Sequence, residues 1–250
     1  MSLTAWPSWI WAGLLAPFIG SFLGVLVTRY DSPASALHGR SACDACGVRL
    51  GARDMVPILS WAALRGHCRH CGAAVGFFYP LIEGAALVVA LWSGLVFSGT
   101  TLWASCLLGW MLVALAAADF KYQLLPDFLS LPLIAFGLAA TWALAPDNLS
   151  AHLIGAAAGF AGIVLLRFVY EKLRGREGMG LGDAKLLAAA GAWTGWIGLP
   201  SILAIAAVSA LIFALWLRGR HLTLADRLPF GPFLAGGFWI VWLYGPLTPG

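Results

Sequence analysis

The chain has 250 residues, 61% of them hydrophobic and only 10% charged, with a mean hydropathy of +0.86. Soluble domains carry about 25% charged residues, so this composition excludes a soluble globular domain and defines an all-α polytopic membrane protein in contact with lipid. The net charge of +4 is a matter of topology, as the loops below indicate, and no nucleic-acid partner is expected.

The first apolar run, Trp9 to Val27, is too long for a secretory signal core and lacks a small-residue cleavage site, so it is expected to be retained as a span. Runs of near-spanning length predict about eight transmembrane helices, over 9–28, 80–98, 101–118, 128–145, 151–170, 184–197, 199–217 and 230–246. The separation of the sixth from the seventh rests on Gly195 and Gly198; a seven-span reading would place the C-terminus on the other side. This order divides the chain into a first transmembrane helix (1–29), a loop domain (30–79) and a transmembrane helical core (80–250). With eight spans, all fifteen Lys and Arg fall on one side. Arg49, Arg53, Arg65 and Arg69 lie in the first loop, Lys121 in the third, Lys172 and Arg174 in the fifth, and Arg220 and Arg227 in the seventh. The positive-inside rule makes that side cytoplasmic and puts both termini outside.

Near the cytoplasmic end of the first span, Gly20-Ser21-Phe22-Leu23-Gly24 marks either close helix packing or a substrate contact. The loop that follows contains Cys43-Asp44-Ala45-Cys46 and, after 21 intervening residues, Cys68-Arg69-His70-Cys71. Paired C-x-x-C elements at this spacing predict a structural zinc site with Cys43, Cys46, Cys68 and Cys71 as ligands. Four cysteines leave His67 and His70 as bystanders, and a cytoplasmic location disfavours disulfides. A loop of roughly fifty residues has too small a core to fold alone, so the metal is expected to determine its fold. Glu83, in Tyr79-Pro80-Leu81-Ile82-Glu83, is either helix N-terminal chemistry or a cofactor or substrate contact.

The third span ends at Asp119, and Leu124-Leu125-Pro126-Asp127 opens the fourth. Gly178-Met179-Gly180-Leu181-Gly182-Asp183 then leads into an apolar helix. An ionisable group at the membrane boundary is expensive and marks a functional site. Asp119 and Asp183 fall at the same depth on the same side, and Asp127, ordinary at a helix start, ranks below them. Two carboxylates converging on one water form an aspartic-protease dyad: one, ionised, takes a proton from the water while the other, protonated, polarises the scissile carbonyl. The glycines before Asp183 would allow close approach of an extended substrate. They are not a dinucleotide loop, since no strand precedes them. A proton- or cation-coupled transporter would also use acidic residues, but at the midplane and with internal repeats. A non-catalytic assembly factor is the third reading.

These motifs, together with Val56-Pro57-Ile58-Leu59-Ser60-Trp61, Leu64-Arg65-Gly66 and Pro229-Phe230-Gly231-Pro232, resemble those of the type IV prepilin peptidases, or leader peptidase/N-methyltransferases, of pilus and type II secretion systems. The likeness runs from about Gly20 to Pro232. It implies an enzyme of the bacterial inner membrane with Asp119 and Asp183 as the catalytic pair facing the cytoplasm. Substrates in that family are prepilins and pseudopilins, cut after the glycine that ends a short basic leader. The new N-terminus, usually phenylalanine, is then methylated from S-adenosylmethionine, and members retaining the zinc loop tend to be bifunctional. Glu83 and the Arg65-Gly66 region are nominated as cofactor-binding for the methyl transfer. The chain departs from the family at Gly24, where many members have asparagine.

Overall fold

The computed structural model describes residues 7–32, 34, 39, 41–175, 180–218 and 228–247. Gly178 and Met179, and the basic positions Arg40, Arg176, Arg220 and Arg227, lie outside them. Among the described residues the secondary structure is helical apart from two isolated antiparallel bridges. The helices are α1 (Ser8–Thr28), α2 (Leu59–Ala63), α3 (Phe78–Val96), α4 (Gly99–Tyr122), α5 (Asp127–Leu144), α6 (Leu149–Arg174), α7 (Leu181–Arg218) and α8 (Gly231–Tyr244). Six of them, all but α2 and α8, are long and apolar enough to cross a membrane, and α8 is a shorter apolar helix. The chain divides into two compact units, Met1–Ala114 and Leu115–Gly250, so that α4 contributes to both.

In the first unit α1 packs on α3. The buried face of α1 is Ala12, Ala16, Gly20, Leu23, Gly24 and Val27, mostly small residues, as expected where helices associate without a hydrophobic drive from water. A Cβ at Gly20 would lie 2.7 Å from the Glu83 Cα, and one at Gly24 2.9 Å from the Tyr79 ring. The Gly20–Gly24 stretch is therefore a packing surface. Gly24 makes room for Tyr79, whose hydroxyl lies 3.3 Å from Thr28 Oγ1.

In the second unit α7 packs against α6, α8 and α5. Its 38 residues include Gly195 at φ 69°, ψ 178°, a conformation reserved essentially for glycine. Contacts along α8 show what happens there. Trp193 meets Trp242 edge-on at 5.1 Å, a Cβ at Gly198 would touch Val241, and one at Gly237 would strike Ile202 and Ala206. A straight α7 antiparallel to α8 would carry Asp183 about 30 Å from Gly231 at 1.5 Å per residue. Yet Gly182, next to Asp183, packs on Leu125, six residues beyond Asp119, which is hydrogen-bonded to Gly231. The chain therefore rises from Asp183 to Thr194, reverses around Gly195–Gly198, and descends through Ile202. The break falls where the sequence separates the sixth from the seventh run.

The reversal is held by polar side chains inside the bundle. His152 Nδ1 lies 3.0 Å from the Ala192 carbonyl and 2.9 Å from Thr141 Oγ1. A carbonyl only accepts, so Nδ1 carries the proton. Close approach of α6 to the ascending half of α7 depends on Gly155 and Gly159; Cβ atoms there would lie 2.6 Å from the Gly191 carbonyl and 2.5 Å from that of Leu187.

Candidate active site and metal centre

Asp119 sits in the last turn of α4 and is 7% exposed. The helix ends at Tyr122, and Gln123 turns the chain at φ 52°, its N–H donating to the Asp119 carbonyl at 2.8 Å. The side chain is satisfied from a distant element: Gly231 N–H, in the first turn of α8, donates to Asp119 Oδ2 at 2.8 Å. This places a carboxylate at a helix N-terminus, where unpaired N–H groups and the helix dipole favour negative charge. Asp183 lies in the first turn of α7 and is partly buried. The Gly180 N–H donates to it, and Asp119 is the carboxyl group close enough to interact with it. The second unit thus brings the two expected aspartates within electrostatic reach of each other.

Two further contacts fix the start of α7 against the segment between Asp119 and α5. A Cβ at Gly182 would lie 2.8 Å from that of Leu125, so this glycine is a packing glycine. Lys185 Nζ pairs with Asp127 Oδ1. Asp127 is 60% exposed at its side chain. Gly231 and the Lys185–Asp127 pair were not singled out as site elements from the sequence. For Gly231 the nearest signal was the Pro229-Phe230-Gly231-Pro232 run, which entered only as one of the motifs of the family resemblance.

In the first unit the four cysteines converge, their sulfur atoms all within 4.8 Å of one another. A tetrahedral metal with four sulfurs at about 2.3 Å sets neighbouring sulfurs about 3.8 Å apart, and Cys43 and Cys71 stand at 3.9 Å. Two equivalent knuckles build the cluster. Gly47 and Gly72 turn at φ 69° and 71°, and their N–H groups return to the carbonyls of Cys43 (2.8 Å) and Cys68 (3.0 Å). Backbone N–H groups of Cys71 and His70 draw the Cys68 thiol down to about 6. Cys71 lies at the other extreme, about 11: the Ala73 N–H favours its thiolate, but desolvation and the sulfurs of Cys46, Cys68 and Cys43 outweigh it. All four thiols are free, and the donor set fits a metal ion. His67 contacts the Arg65 carbonyl through Nδ1 at 2.8 Å and is outside the cluster. Arg69, in the second knuckle, pairs with Asp54 at 2.7 Å. That guanidinium holds the Asp54 carboxyl below the usual carboxylate range.

Glu83 and Gly66 are tied to the same module. Glu83 is 5% exposed, and its Oε2 accepts the Ile58 N–H at 2.7 Å. Gly66, at φ 74°, lies under the Trp61 ring, 3.0 Å from where its Cβ would be, and its N–H donates to the Trp61 carbonyl at 2.9 Å. Both residues therefore brace α2, from its start and from beyond its end.

Six helices long and apolar enough to cross a membrane, with a four-cysteine module that could hold a metal ion, point to a multi-pass membrane protein. Comparison with known proteins narrows this. Residues 106–215 match the type IV leader peptidase family, and residues 14–97 match the bacterial peptidase A24 N-terminal domain. The first region contains Asp119 and Asp183, the second all four clustered cysteines and Glu83. A prepilin leader peptidase/N-methyltransferase of Dickeya chrysanthemi is 43% identical over 247 aligned positions, covering 89% of this chain and 87% of the relative. One from Pseudomonas aeruginosa is 38% identical over 261 positions, covering 93% and 89%. The protein of that name from Burkholderia pseudomallei is 45% identical over 203 positions, covering 79% of this chain; the match spans 65% of that relative's length. No solved structure matches the chain. The chain belongs to the type IV leader peptidase family.

Proposed function

We propose that this protein cleaves the short basic leader of type IV prepilins or pseudopilins and then N-methylates the new N-terminal residue. The observation that carries the proteolytic half is the placement of Asp119 and Asp183 within electrostatic reach, each also accepting a backbone N–H. In this reading one carboxylate of the pair is ionised and takes a proton from a shared water, whose oxygen adds to the scissile carbonyl carbon. The other, protonated, donates to the carbonyl oxygen. Collapse of the tetrahedral intermediate breaks the C–N bond, and the leaving amine takes up a proton from the dyad. Fixed N–H donors keep the carboxylates in place during both proton transfers.

The site faces the cytoplasm of the inner membrane in this reading, with eight segments crossing: α1, α3, α4, α5, α6, the two halves of α7, and α8. The chain then comprises a first helix (1–29), a cytoplasmic zinc-binding loop (30–79) and a peptidase core (80–250). Cys43, Cys46, Cys68 and Cys71 would hold a zinc ion that cross-links the loop, and S-adenosylmethionine, when bound, would supply the methyl group. Glu83 and Gly66 contribute to methyl transfer through α2, which both brace.

The test is incubation of the full chain in lipid nanodiscs with a prepilin-like peptide and S-adenosylmethionine, with mass spectrometry of both products. Asp119→Asn and Asp183→Asn should each abolish cleavage while leaving the protein folded and still able to methylate a pre-cut peptide. Cleavage that survives in both variants would sink the dyad.

A further inference from the structure

Ile58 has a backbone that a β-branched residue ordinarily avoids, φ 60° and ψ −51°. Such an outlier persists only where its surroundings hold it. The holder is Glu83, a buried carboxylate with the Ile58 N–H 2.7 Å from Oε2. Depth is what makes this pair informative. α3 has 19 residues, Phe78–Val96, and is about 28 Å long at 1.5 Å per residue. A hydrocarbon core of about 30 Å uses all of it, so Phe78 marks the edge of that core. Glu83 lies five residues further along, and helical side chains lean back toward the N-terminus. Ile58 is thus held beside the first turns of α3, at the edge of the hydrocarbon and not in water above it.

The residues flanking Ile58 suit that depth. Leu59 is 68% exposed, and Met55 and Val56 are also exposed. They continue into Phe77 and Leu81, exposed at the start of α3. The two stretches form one body: the Trp61 ring meets Phe77 edge-on at 5.0 Å, and its N–H donates to the Val75 carbonyl at 3.0 Å. Exposed Arg53 and Arg65 flank the apolar residues, as in segments that lie in the headgroup region.

We propose that the Met55–Trp61 segment is seated in the headgroup–acyl boundary of the bilayer, with Leu59 in lipid, and that Glu83 is the positioning residue that holds it there. The occupant of this apolar face is phospholipid, because the face continues the surface of α3, a candidate span. The four-cysteine module is thereby drawn down onto the membrane. This inference does not depend on the proposed chemistry.

The test uses the full chain in nanodiscs of phosphatidylethanolamine and phosphatidylglycerol, with a benzophenone amino acid at position 59 or, as control, at exposed position 48 in the first knuckle. Irradiation followed by mass spectrometry should find phospholipid adducts at 59 several-fold above those at 48. Glu83→Ala should lower the adduct at 59, whereas Glu83→Gln, whose carbonyl still accepts the Ile58 N–H, should keep it. Should Glu83→Ala fail to accumulate, the comparison of 59 with 48 decides alone. Equal labelling at the two positions, or none at 59, overturns the proposal. Adducts at 59 to an added prepilin peptide in place of lipid would overturn it too, making this face a peptide-docking surface.

Discussion

Gly231 donates its backbone N–H to Asp119 Oδ2 at 2.8 Å, and a Cβ on Gly231 would lie 2.6 Å from that same oxygen. The glycine therefore does two things: it brings a helix N-terminus to the carboxylate, and it stays small enough for the carboxylate to reach it. Pro232 in the next position lacks an N–H and suits a first helical turn, leaving Gly231 as a donor aimed at Asp119.

The first expected outcome concerns that glycine. Gly231→Ala keeps the N–H but forces the Asp119 carboxylate aside. A displacement near 1 Å in an active site costs about 100-fold in rate, so leader cleavage should fall by about that factor while thermal stability changes little. A peptide cleavage assay with Asp119→Asn alongside measures it. Cleavage at the unsubstituted rate would mean that the contact with Gly231 does not position Asp119.

The second concerns Lys185 and Asp127, whose ion pair clamps the start of α7 to the start of α5. Partly exposed pairs contribute about 0–1 kcal/mol to stability, so neither Lys185→Met nor Asp127→Asn should lower the melting temperature much. The expected effect is on kcat, roughly ten-fold, because Asp183 lies two residues before Lys185 and a shift in its helix start misplaces it. The exchanged pair, Lys185→Asp with Asp127→Lys, should recover part of the loss. Recovery distinguishes the clamp from a simple effect of the lysine's charge on Asp183; no recovery would favour the latter.

What could be read from the sequence follows from what is local in it. The cysteine pairs carry their chemistry in their spacing, and the four sulfurs do converge. Apolar runs reported the helices, and Gly195 with Gly198 marked the turn inside α7. Asp119 and Asp183 stood out because a charge in an apolar setting is costly wherever it sits. The partners of these groups were not legible. Gly231 meets Asp119 across 112 positions, and a backbone N–H leaves no trace in composition. Glu83 read as either dipole chemistry or a ligand contact; its bond to Ile58 depends on a left-handed backbone at a β-branched residue, which no propensity would suggest. Gly182 read as an approach path for substrate because close packing against Leu125 requires knowing which helices are neighbours.

The third expected outcome is a pH dependence. Because Arg69 holds the Asp54 carboxyl below its ordinary range, that pair stabilises the module at neutral pH, and the contribution is lost only as pH falls through the depressed value. It is constant between about pH 5 and 8. Metal release on acidification should instead follow protonation of the cysteine thiolates. A chromophoric zinc chelator titrated against pH should therefore give the same midpoint for Asp54→Asn as for the unsubstituted protein. Cys68→Ser should abolish stoichiometric metal and expose residues 41–75 to protease. A midpoint moved by a full pH unit in Asp54→Asn would mean that the Asp54–Arg69 pair, not the thiolates, controls release.

The last concerns the turn in α7. Gly195 sits at φ 69°, ψ 178°, and any other residue there carries about 1–3 kcal/mol of backbone strain. Its surroundings leave little freedom to relax: the His152 ring is 3.4 Å from where a Cβ would sit, and that ring is anchored to the Ala192 carbonyl. Gly195→Ala should lower the melting temperature in detergent. It should also lower cleavage, because the half of α7 that ends at this turn carries Asp183 in its first turn. His152→Ala leaves the backbone conformation free but removes the donor to Ala192. It should cost less stability, about 1 kcal/mol for one lost hydrogen bond, and leave cleavage closer to normal. If Gly195→Ala matched the unsubstituted protein in both melting and cleavage, the chain would have to pass position 195 by another conformation. The reversal that returns Asp183 to Asp119 would then rest on Gly198 and Pro200.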